Sequence, residues 1–453
     1  MNDILAAADF HPALKADITG DDPVLRTPYR IGRAGAEALG ALGLAAAQLW
    51  QLRGGKAQRV AIGVRAAAAS LRSARYLRID GRAPRVWDPL SGFYPVRDGW
   101  ISIHCNFQNH RHAALSVLKS NPSREEAEAH SRNWRGVELE DAIHAAGGCA
   151  GFVRSGEAWA RHPQAQAVAK APLLEITRIG DAPAEKFSKA KRPLEGVRVL
   201  DLTRVLAGPT CARSLAEHGA EVLKISAEHL PDSGEVELDT GIGKLSARLD
   251  LRKHADLARL HALAHEADVF SQSYRPGALA GRGLSSQSLA ELRPGIVCVS
   301  LSAWGETGPW RARRGFDSIV QSVSGMALAQ GEGGKPQLLP VSAIDYVSGY
   351  LMAFGAMVAL SRRSSEGGSW LVRVSLARVG RWIVEHGMLP DSAWRALADD
   401  LPETELAPLL AEVDSPAGRV RHLKPVLELS ETPPYWSRPP VPLGYHEAKW
   451  TSG

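Results

Sequence analysis

The sequence predicts an α/β fold: a Rossmann-like parallel sheet domain joined to a second, smaller α+β domain. Three observations predict it. From residue 194 onward, short β-branched runs alternate with helical stretches: VRVLDL (197–202), a helix over 210–217, then EVLKI (221–225). Strand, helix, strand at this spacing means βαβ units and a parallel sheet. Ahead of them lies a polar stretch with Lys and Pro, GDAPAEKFSKAKRP (180–193), which reads as a domain boundary. The third observation is length: 453 residues allow two or three domains with ample core.

Composition narrows the function classes. Hydrophobic residues make up 45% and charged residues 23%, as in an ordinary globular protein. The net charge is +5 with no block of like charge, so nothing points to nucleic acid. A weakly basic balance suits an anionic small molecule. The four cysteines, Cys105, Cys149, Cys211 and Cys298, form no CxxC pair, which fits free thiols in a reducing, cytoplasmic compartment. The opening MNDILAAADFHP carries an acid where a signal peptide carries basic residues. No uninterrupted apolar run reaches the roughly 18–20 residues of a membrane span, so no membrane partner is expected.

Taken in order, residues 1–20 read as a loose lead-in. Residues 34–52 form an alanine-rich buried helix, stopped by Gly54 and Gly55, and 58–64 a strand. The same arrangement recurs 312 residues later: a helix after Asp345, then Gly367 and Gly368, then a strand with Val372 and Val374. At this offset Leu39, Gly43, Gly55 and Val60 match Leu351, Gly355, Gly367 and Val372, so an internal repeat is expected. Arg33 stands in the first copy where Asp345 stands in the second. Residues 98–105 read as a strand, 110–119 and 138–146 as helices, and 172–179 as another strand. Beyond the βαβ stretch, 257–266 is helical and 268–272 and 296–301 are strands. Residues 391–453, rich in Pro, read as a surface strap.

Within 339–360, LPVSAIDYVSGYLMAFGAMVAL, one carboxylate stands at the front of a long apolar helix. Helix starts carry unpaired N–H groups and partial positive charge, so Asp345 is expected to stay ionised. It can serve as an N-cap, contributing about 1 kcal/mol, or as a nucleophile toward an acyl carbon. The turn Val205–Pro209 follows a strand and opens a helix, where ligands of open α/β sheets bind. There is no GxGxxG and no Walker motif, so neither NAD nor ATP is indicated. Arg252, Arg275, Arg282 and Arg314 fall just after or between strands, a placement that suits a polyanion. His104, Cys105, His110 and His112 fit no zinc spacing, and no metal site is expected.

The run PLEGVRVLDLTRVLAGPTCARSLAEHGAEVLKI (193–225) resembles the opening of the family III CoA-transferases (the CaiB/BaiF family). The resemblance continues through GIGKLSARLDL, ADVFSQSYRPGALAGRGLS, VSLSAWGETGPW, RRGFDSIVQSVSG and AIDYVSGYLMAFGAMVALSRR, in the family's order. DGWISI, Trp159 with His162-Pro163-Gln164, and PLLEITRIGDAP resemble the family's smaller domain, which normally follows the catalytic half. The resemblance therefore implies a fused or permuted layout. Residues 1–84 would be a partial, degenerate copy of the large domain, 85–185 the small α+β domain, 190–390 the CoA-binding catalytic domain and 391–453 a C-terminal strap. Family members form interlocked dimers, so a homodimer or an intramolecular pseudo-dimer is implied.

By position, Asp345 matches the family's nucleophilic aspartate. The resemblance implies attack on an acyl-CoA thioester, an aspartyl mixed anhydride, and transfer of CoA to a second carboxylic acid. Helix-start N–H groups are available to the oxyanion. Coenzyme A and acyl-CoA are then substrates, with no permanently bound cofactor. Val205, Leu249, Arg252, Ser273, Tyr274, Arg282 and Arg314 fall where the family contacts CoA. Leu206 and Ala227 depart from glutamine and basic residues found there in some members, and the family's Gly-rich loop is not recognisable. Phe316-Asp317 stands where the related 2-methylacyl-CoA racemases have His-Asp, which removes one proton-transfer base. A racemase or epimerase, and a non-catalytic CoA-binding protein, are the alternative readings.

Overall fold

The computed structural model describes residues 1–230 and 232–451. Its largest sheet has seven strands, in spatial order Lys244–Arg248, Glu221–Ser226, Arg198–Leu202, Val269–Gln272, Val297–Ser302, Ser369–Ser375 and Leu174–Gly180. The first six run parallel and the last antiparallel to its neighbour. Central strands such as Arg198–Leu202 and Val297–Ser302 are mostly buried, as expected when helices cover both faces of a parallel sheet. The chain starts at Arg198–Leu202, winds outward through Glu221–Ser226 and Lys244–Arg248, then returns to Val269–Gln272 on the other side. The order therefore reverses between Arg198–Leu202 and Val269–Gln272. The crevice beyond the carboxyl ends of those two strands is where an open sheet receives a ligand.

Two long helices pack against each other behind this sheet: Ile31–Leu52 and Ala343–Glu366. The second is long and apolar enough to cross a membrane by composition, but it lies inside the fold. It also packs on the helix Ala207–Glu217. Their approach depends on Gly349, where a Cβ would lie 2.6 Å from both the Ala207 carbonyl oxygen and Thr210 Cβ. The positions related by 312 residues behave alike. A Cβ on Gly43 would meet Val60 Cγ1 at 2.6 Å, and one on Gly355 would meet Val372 Cγ1 at 2.6 Å.

A separate antiparallel sheet, Gly92–Val96, Gly99–Ile103 and Ala150–Phe152, carries the helices Gln108–Leu118, Arg124–Ser131 and Gly136–Ala145 over its own core of Tyr94, Ile101, Ile103, Leu139 and Ile143. Three sequence expectations need correction here. Residues 1–20 are not a loose lead-in: Asn2–Ala7 is helical, and Ala16–Thr19 pairs in parallel with Val60–Gly63. The strand Leu174–Gly180, expected within 85–185, instead completes the large sheet against Ser369–Ser375. The C-terminal strap contains a hairpin, Leu410–Ser415 with Gly418–Leu423, that pairs with Arg78–Ile79, and its strand Glu428–Leu429 pairs with Val60–Gly63.

The N-terminal segment is locked to the rest of the same chain. Arg53 donates to the carbonyls of Pro193 (2.7 Å), Ser188 (2.9 Å) and Glu195 (2.6 Å). Ser73 Oγ donates to buried Asp239 at 2.6 Å, and Asp239 pairs with Arg213 at 3.0 Å.

Candidate active site

Asp345 is the third residue of its helix, after Ala343 and Ile344, and is 8% exposed. It is not the cap. Asp317, 28 residues upstream, accepts the Asp345 N–H at 3.0 Å and also the Ile344 N–H. Gln321 Nε2 donates to the other Asp317 oxygen while its own carbonyl accepts the Leu339 N–H at 2.8 Å. Asp317 thus satisfies the helix start, and among the described residues nothing donates to the Asp345 carboxylate. Two expectations change. The Ile344 and Asp345 N–H groups are occupied and do not form an oxyanion site. Nor is Asp345 held ionised: burial, then the neighbouring Asp317 charge, push its pKa well above the carboxylate range. Burial also raises Asp317.

Asp345 stands where two cavities meet. One, of about 400 Å³, runs from Asp345 past Val205 and Leu206 to Ser273, Tyr274 and Arg314. This is the crevice at the reversal of strand order. Its turn is tightly held: Val205 has φ of +72°, which for a β-branched residue is a strained conformation. Arg204 N–H donates to Ser273 Oγ at 3.3 Å, tying the two strand ends together. Below the turn, buried Asp201 accepts from Lys244 (2.8 Å), Thr203 N–H (2.9 Å) and Thr203 Oγ1 (2.5 Å). Burial alone would raise the Asp201 carboxyl, but Lys244 and Lys224 outweigh it and hold the pKa low. Arg204, Arg275, Arg311 and Arg314 all line this cavity. Among the described residues, none of their guanidiniums meets an acidic partner. Four unpaired guanidiniums form a positive wall suited to phosphates.

The other cavity, about 360 Å³, is lined by Asp345, Tyr346, His104, Leu339, Arg72 and Arg75 among others. Tyr346 Oη accepts the Ala74 N–H at 2.9 Å, which holds the N-terminal segment against the Asp345 helix. Between the two cavities, Phe316 is stacked face to face on His104, with ring centroids 3.9 Å apart and 9° between planes. His110 and Phe107 complete the cluster. Burial keeps both imidazoles neutral, pushing His104 down to about 3 and His110 to about 4.

Of the residues expected from sequence, the structure brings Asp345, Val205, Ser273, Tyr274 and Arg314 to one cavity. Leu249, Arg252 and Arg282 do not line it. Leu249 is buried in the core beside the outer strands, and Arg252 is held by Asp250 through two hydrogen bonds of 2.8 and 2.7 Å. Arg282 donates to the carbonyls of Ala278 and Leu251. Residues that sequence reasoning missed are Asp317, as the cap, together with His104, Arg72, Arg75, Arg204 and Arg311. The position of Arg204 immediately before the Val205–Pro209 turn was the available signal for that residue. Among the described residues no three His, Cys, Asp or Glu side chains converge as metal ligands.

Residues 194–396 match the sequence profile described as CoA-transferase family III. The matched stretch is somewhat under half of the chain. The chain is 33% identical over 218 residues to an acetyl-coenzyme A transferase of Hypoxylon pulicicidum, an alignment covering 46% of this chain and 37% of that protein. The chain thus spans well under half the length of that relative. An acyl-CoA transferase of Gibberella moniliformis is 26% identical over 98% of this chain and 91% of its own length. Among solved structures, Rv3272 of Mycobacterium tuberculosis aligns with 31% identity over 43% of this chain and 57% of its own, at a TM-score of 0.41. The family III match ends 30 residues beyond the end of the Asp345 helix. It therefore takes in Asp317, Asp345 and the four arginines of the first cavity, but not Phe107, Asn109 and His110 of that cavity or the N-terminal residues that line the second.

Proposed function

We propose that this chain moves CoA from an acyl-CoA thioester to a carboxylic acid through covalent intermediates on Asp345. One observation carries the reading: an unpaired carboxylate at the junction of two cavities, one walled by arginines. The anionic CoA portion would lie along Tyr274, Arg275 and Arg314, with its thioester at Asp345 and its acyl group in the second cavity. An ionised Asp345 oxygen attacks the thioester carbon, the C–S bond breaks, and CoA leaves as thiolate. The thiolate then attacks the Asp345 carbonyl of the mixed anhydride, which releases the donor acid and leaves CoA as a thioester on Asp345. The acceptor carboxylate attacks that thioester, giving a second anhydride and free thiolate. Attack of the thiolate on the acceptor's acyl carbon forms the new acyl-CoA and restores Asp345. Each step exchanges an anhydride for a thioester, so none is steep.

The raised pKa of Asp345 fits this role once the proton is lost, because a more basic carboxylate is the better nucleophile. Residues 1–84 are inferred to be a degenerate copy of the large domain that supplies one wall of the second cavity. Their contacts within the chain support an intramolecular pseudo-dimer. The test is hydroxylamine trapping with acyl-CoA: a hydroxamate on Asp345 and CoA exchange into a paired acid, both lost in Asp345→Asn, are expected. Turnover of Asp345→Asn at the parent rate would remove the nucleophile from the proposal.

A further inference from the structure

Attack on a thioester puts negative charge on its carbonyl oxygen, and that charge needs a hydrogen-bond donor. The helix start cannot supply one, because Asp317 already takes the Ile344 and Asp345 N–H groups. Several polar groups around the second cavity are engaged too. Gln321 spans Asp317 and Leu339, Asn106 Nδ2 donates to the Val86 carbonyl at 2.9 Å, and Tyr346 Oη is held by Ala74 and Asp239. His104 differs. It lines that cavity with Asp345, Val205 and Phe316, is 5% exposed, and its ring bonds to no other residue among the described residues. Nδ1 is enclosed without a partner, which leaves the Nε2 edge to meet a ligand. The residue is fixed in place. Its backbone N–H donates to the Cys149 carbonyl at 3.0 Å, its ring lies flat on Phe316 at 3.9 Å, and Trp87 packs edge-on at 6.1 Å. Phe316 directly precedes Asp317, the cap of the Asp345 helix, so the imidazole is held beside the junction of the two cavities. Burial, then nearby His110, keep the ring neutral, and a neutral imidazole retains one N–H donor. A buried polar ring without a partner is costly, and a ligand carbonyl would complete it.

We propose that His104 is a catalytic residue: its Nε2–H donates a hydrogen bond to the acyl carbonyl oxygen and to the oxyanion that forms there when Asp345 attacks. This rests on the CoA-transferase reading above, and it assigns a reacting role to a residue outside the family match. As the Asp345 oxygen bonds to carbon, the carbonyl π pair moves onto oxygen and the proton stays on the ring. On collapse the C=O re-forms, the C–S bond breaks, and the thiolate leaves. A preorganised donor in a water-poor site strengthens as the charge grows, so it acts on the transition state more than on the bound ester.

The test uses a ketone analogue of butyryl-CoA, with CH2 in place of sulfur and carbon-13 at the carbonyl, bound to the whole protein. Its infrared C=O band is expected at lower frequency in the parent than in His104→Phe, which keeps an aromatic ring on Phe316 and removes both nitrogens. The same band in both proteins, or no binding by the parent, overturns the proposal. In turnover of butyryl-CoA, His104→Phe is expected to lose about 10²-fold in kcat with KM within about threefold of the parent, and His104→Gln, which restores an N–H, to recover part of the loss. A loss carried by KM alone, or none at all, overturns the role. The pH–rate limb of Asp345 is expected to stay in place in His104→Phe, and a second limb lost with the imidazole would make His104 a base instead. An unmoved band together with a hydroxamate on Asp345 removes His104 and leaves the transferase reading. A shifted band without a hydroxamate does the reverse. Should His104→Phe fail to fold, nitrogen-15 spectra of the parent decide. The histidine signal missing from His104→Gln is expected to shift with the ketone analogue and not with butyl-CoA, a thioether that has no carbonyl; an equal response to both overturns the contact.

Discussion

Substituting Gly349 by alanine tests whether Asp345 and the Val205 turn act as one unit. Gly349 lies one turn beyond Asp345, and its missing Cβ is what lets the helix Ala207–Glu217 approach. A Cβ would sit 2.6 Å from the Ala207 carbonyl oxygen and from Thr210 Cβ, where ordinary contact begins at 3.4 Å. The first of those atoms is backbone and cannot swing aside, so the helices must part by several tenths of an ångström. Overpacking of this kind costs about 1–3 kcal/mol, offset by about 1 kcal/mol because alanine favours a helix over glycine. The effect on turnover is expected to be larger, since Ala207 follows directly on Val205 and Leu206, which line both cavities. Displacing reacting groups by up to an ångström costs on the order of 10²-fold in rate. Gly355→Ala is the control: its Cβ would meet Val372 Cγ1 at 2.6 Å, a comparable clash two turns farther from the cavities. Denaturation midpoints and kcat/KM for acyl-CoA should be measured on both. Similar losses of stability are expected, with a large loss of kcat/KM in Gly349→Ala only. Equal activity in the two variants would refute the coupling of turn and carboxylate.

Other outcomes follow from the same geometry. Because burial and then Asp317 hold the Asp345 pKa up, kcat/KM should rise with pH along a limb above the ordinary carboxylate range. Asp317→Asn removes the adjacent charge and should move that limb to lower pH. Moving the limb down by one pH unit makes about tenfold more ionised Asp345 at a fixed pH along it; a pH–rate series checks the sign. Asp345→Asn should be more stable than the parent near pH 8. A carboxyl whose folded pKa lies above its unfolded one takes up a proton on folding, so parent stability falls as pH rises from the unfolded value toward the folded one, by about 1.4 kcal/mol for each pH unit between the two pKa values. The advantage of the variant should vanish near pH 4, and a denaturation series across pH measures it. Arg275→Ala and Arg314→Ala should each raise KM for acyl-CoA by about tenfold and weaken its salt dependence. Arg282→Ala, outside the cavity, should change KM by less than about twofold in the same assay.

What could be read from the sequence was local. The βαβ stretch from Arg198 to Ser226 follows from alternating β-branched runs and a Pro-opened helix, and the Asp345 helix from its unbroken apolar pattern. What could not be read depends on distance in the chain. Nothing in the sequence links Asp317 to a helix start 28 residues later, because a cap supplied from upstream leaves no periodic trace. His104 has ordinary neighbours in sequence and becomes part of the site only by stacking on Phe316 from a different sheet. The arginines show the same limit. Arg252, Arg275, Arg282 and Arg314 all lie just after or between strands, yet of these four only Arg275 and Arg314 line the crevice, because the direction of a loop side chain is set by packing and not by its place relative to a strand. The strand Leu174–Gly180 was visible as a strand, but its pairing across the domain boundary was not, since an antiparallel edge strand carries no mark of its neighbour.

That Asp345 does not cap its helix is also seen in its counterpart 312 residues earlier. Arg33 is the third residue of the helix Ile31–Leu52, as Asp345 is of Ala343–Glu366. In the earlier helix an upstream acid, Asp22, accepts the N–H groups of Gly32 (3.2 Å) and Arg33 (2.8 Å); in the later one Asp317 takes the same N–H groups of Ile344 and Asp345. Capping is therefore carried by an upstream aspartate in both, and the third position is left free to vary. In the first helix it holds Arg33, engaged with Glu37 at 2.9 Å. In the second it holds an acid with no donor among the described residues, beside another acid, where burial opposes its charge. A helix gains nothing from a carboxylate placed there, since its start is already satisfied and the group raises the free energy of the folded state at neutral pH. A destabilising acid at the meeting point of two cavities is not explained by capping, and it supports the nucleophile role proposed above for Asp345.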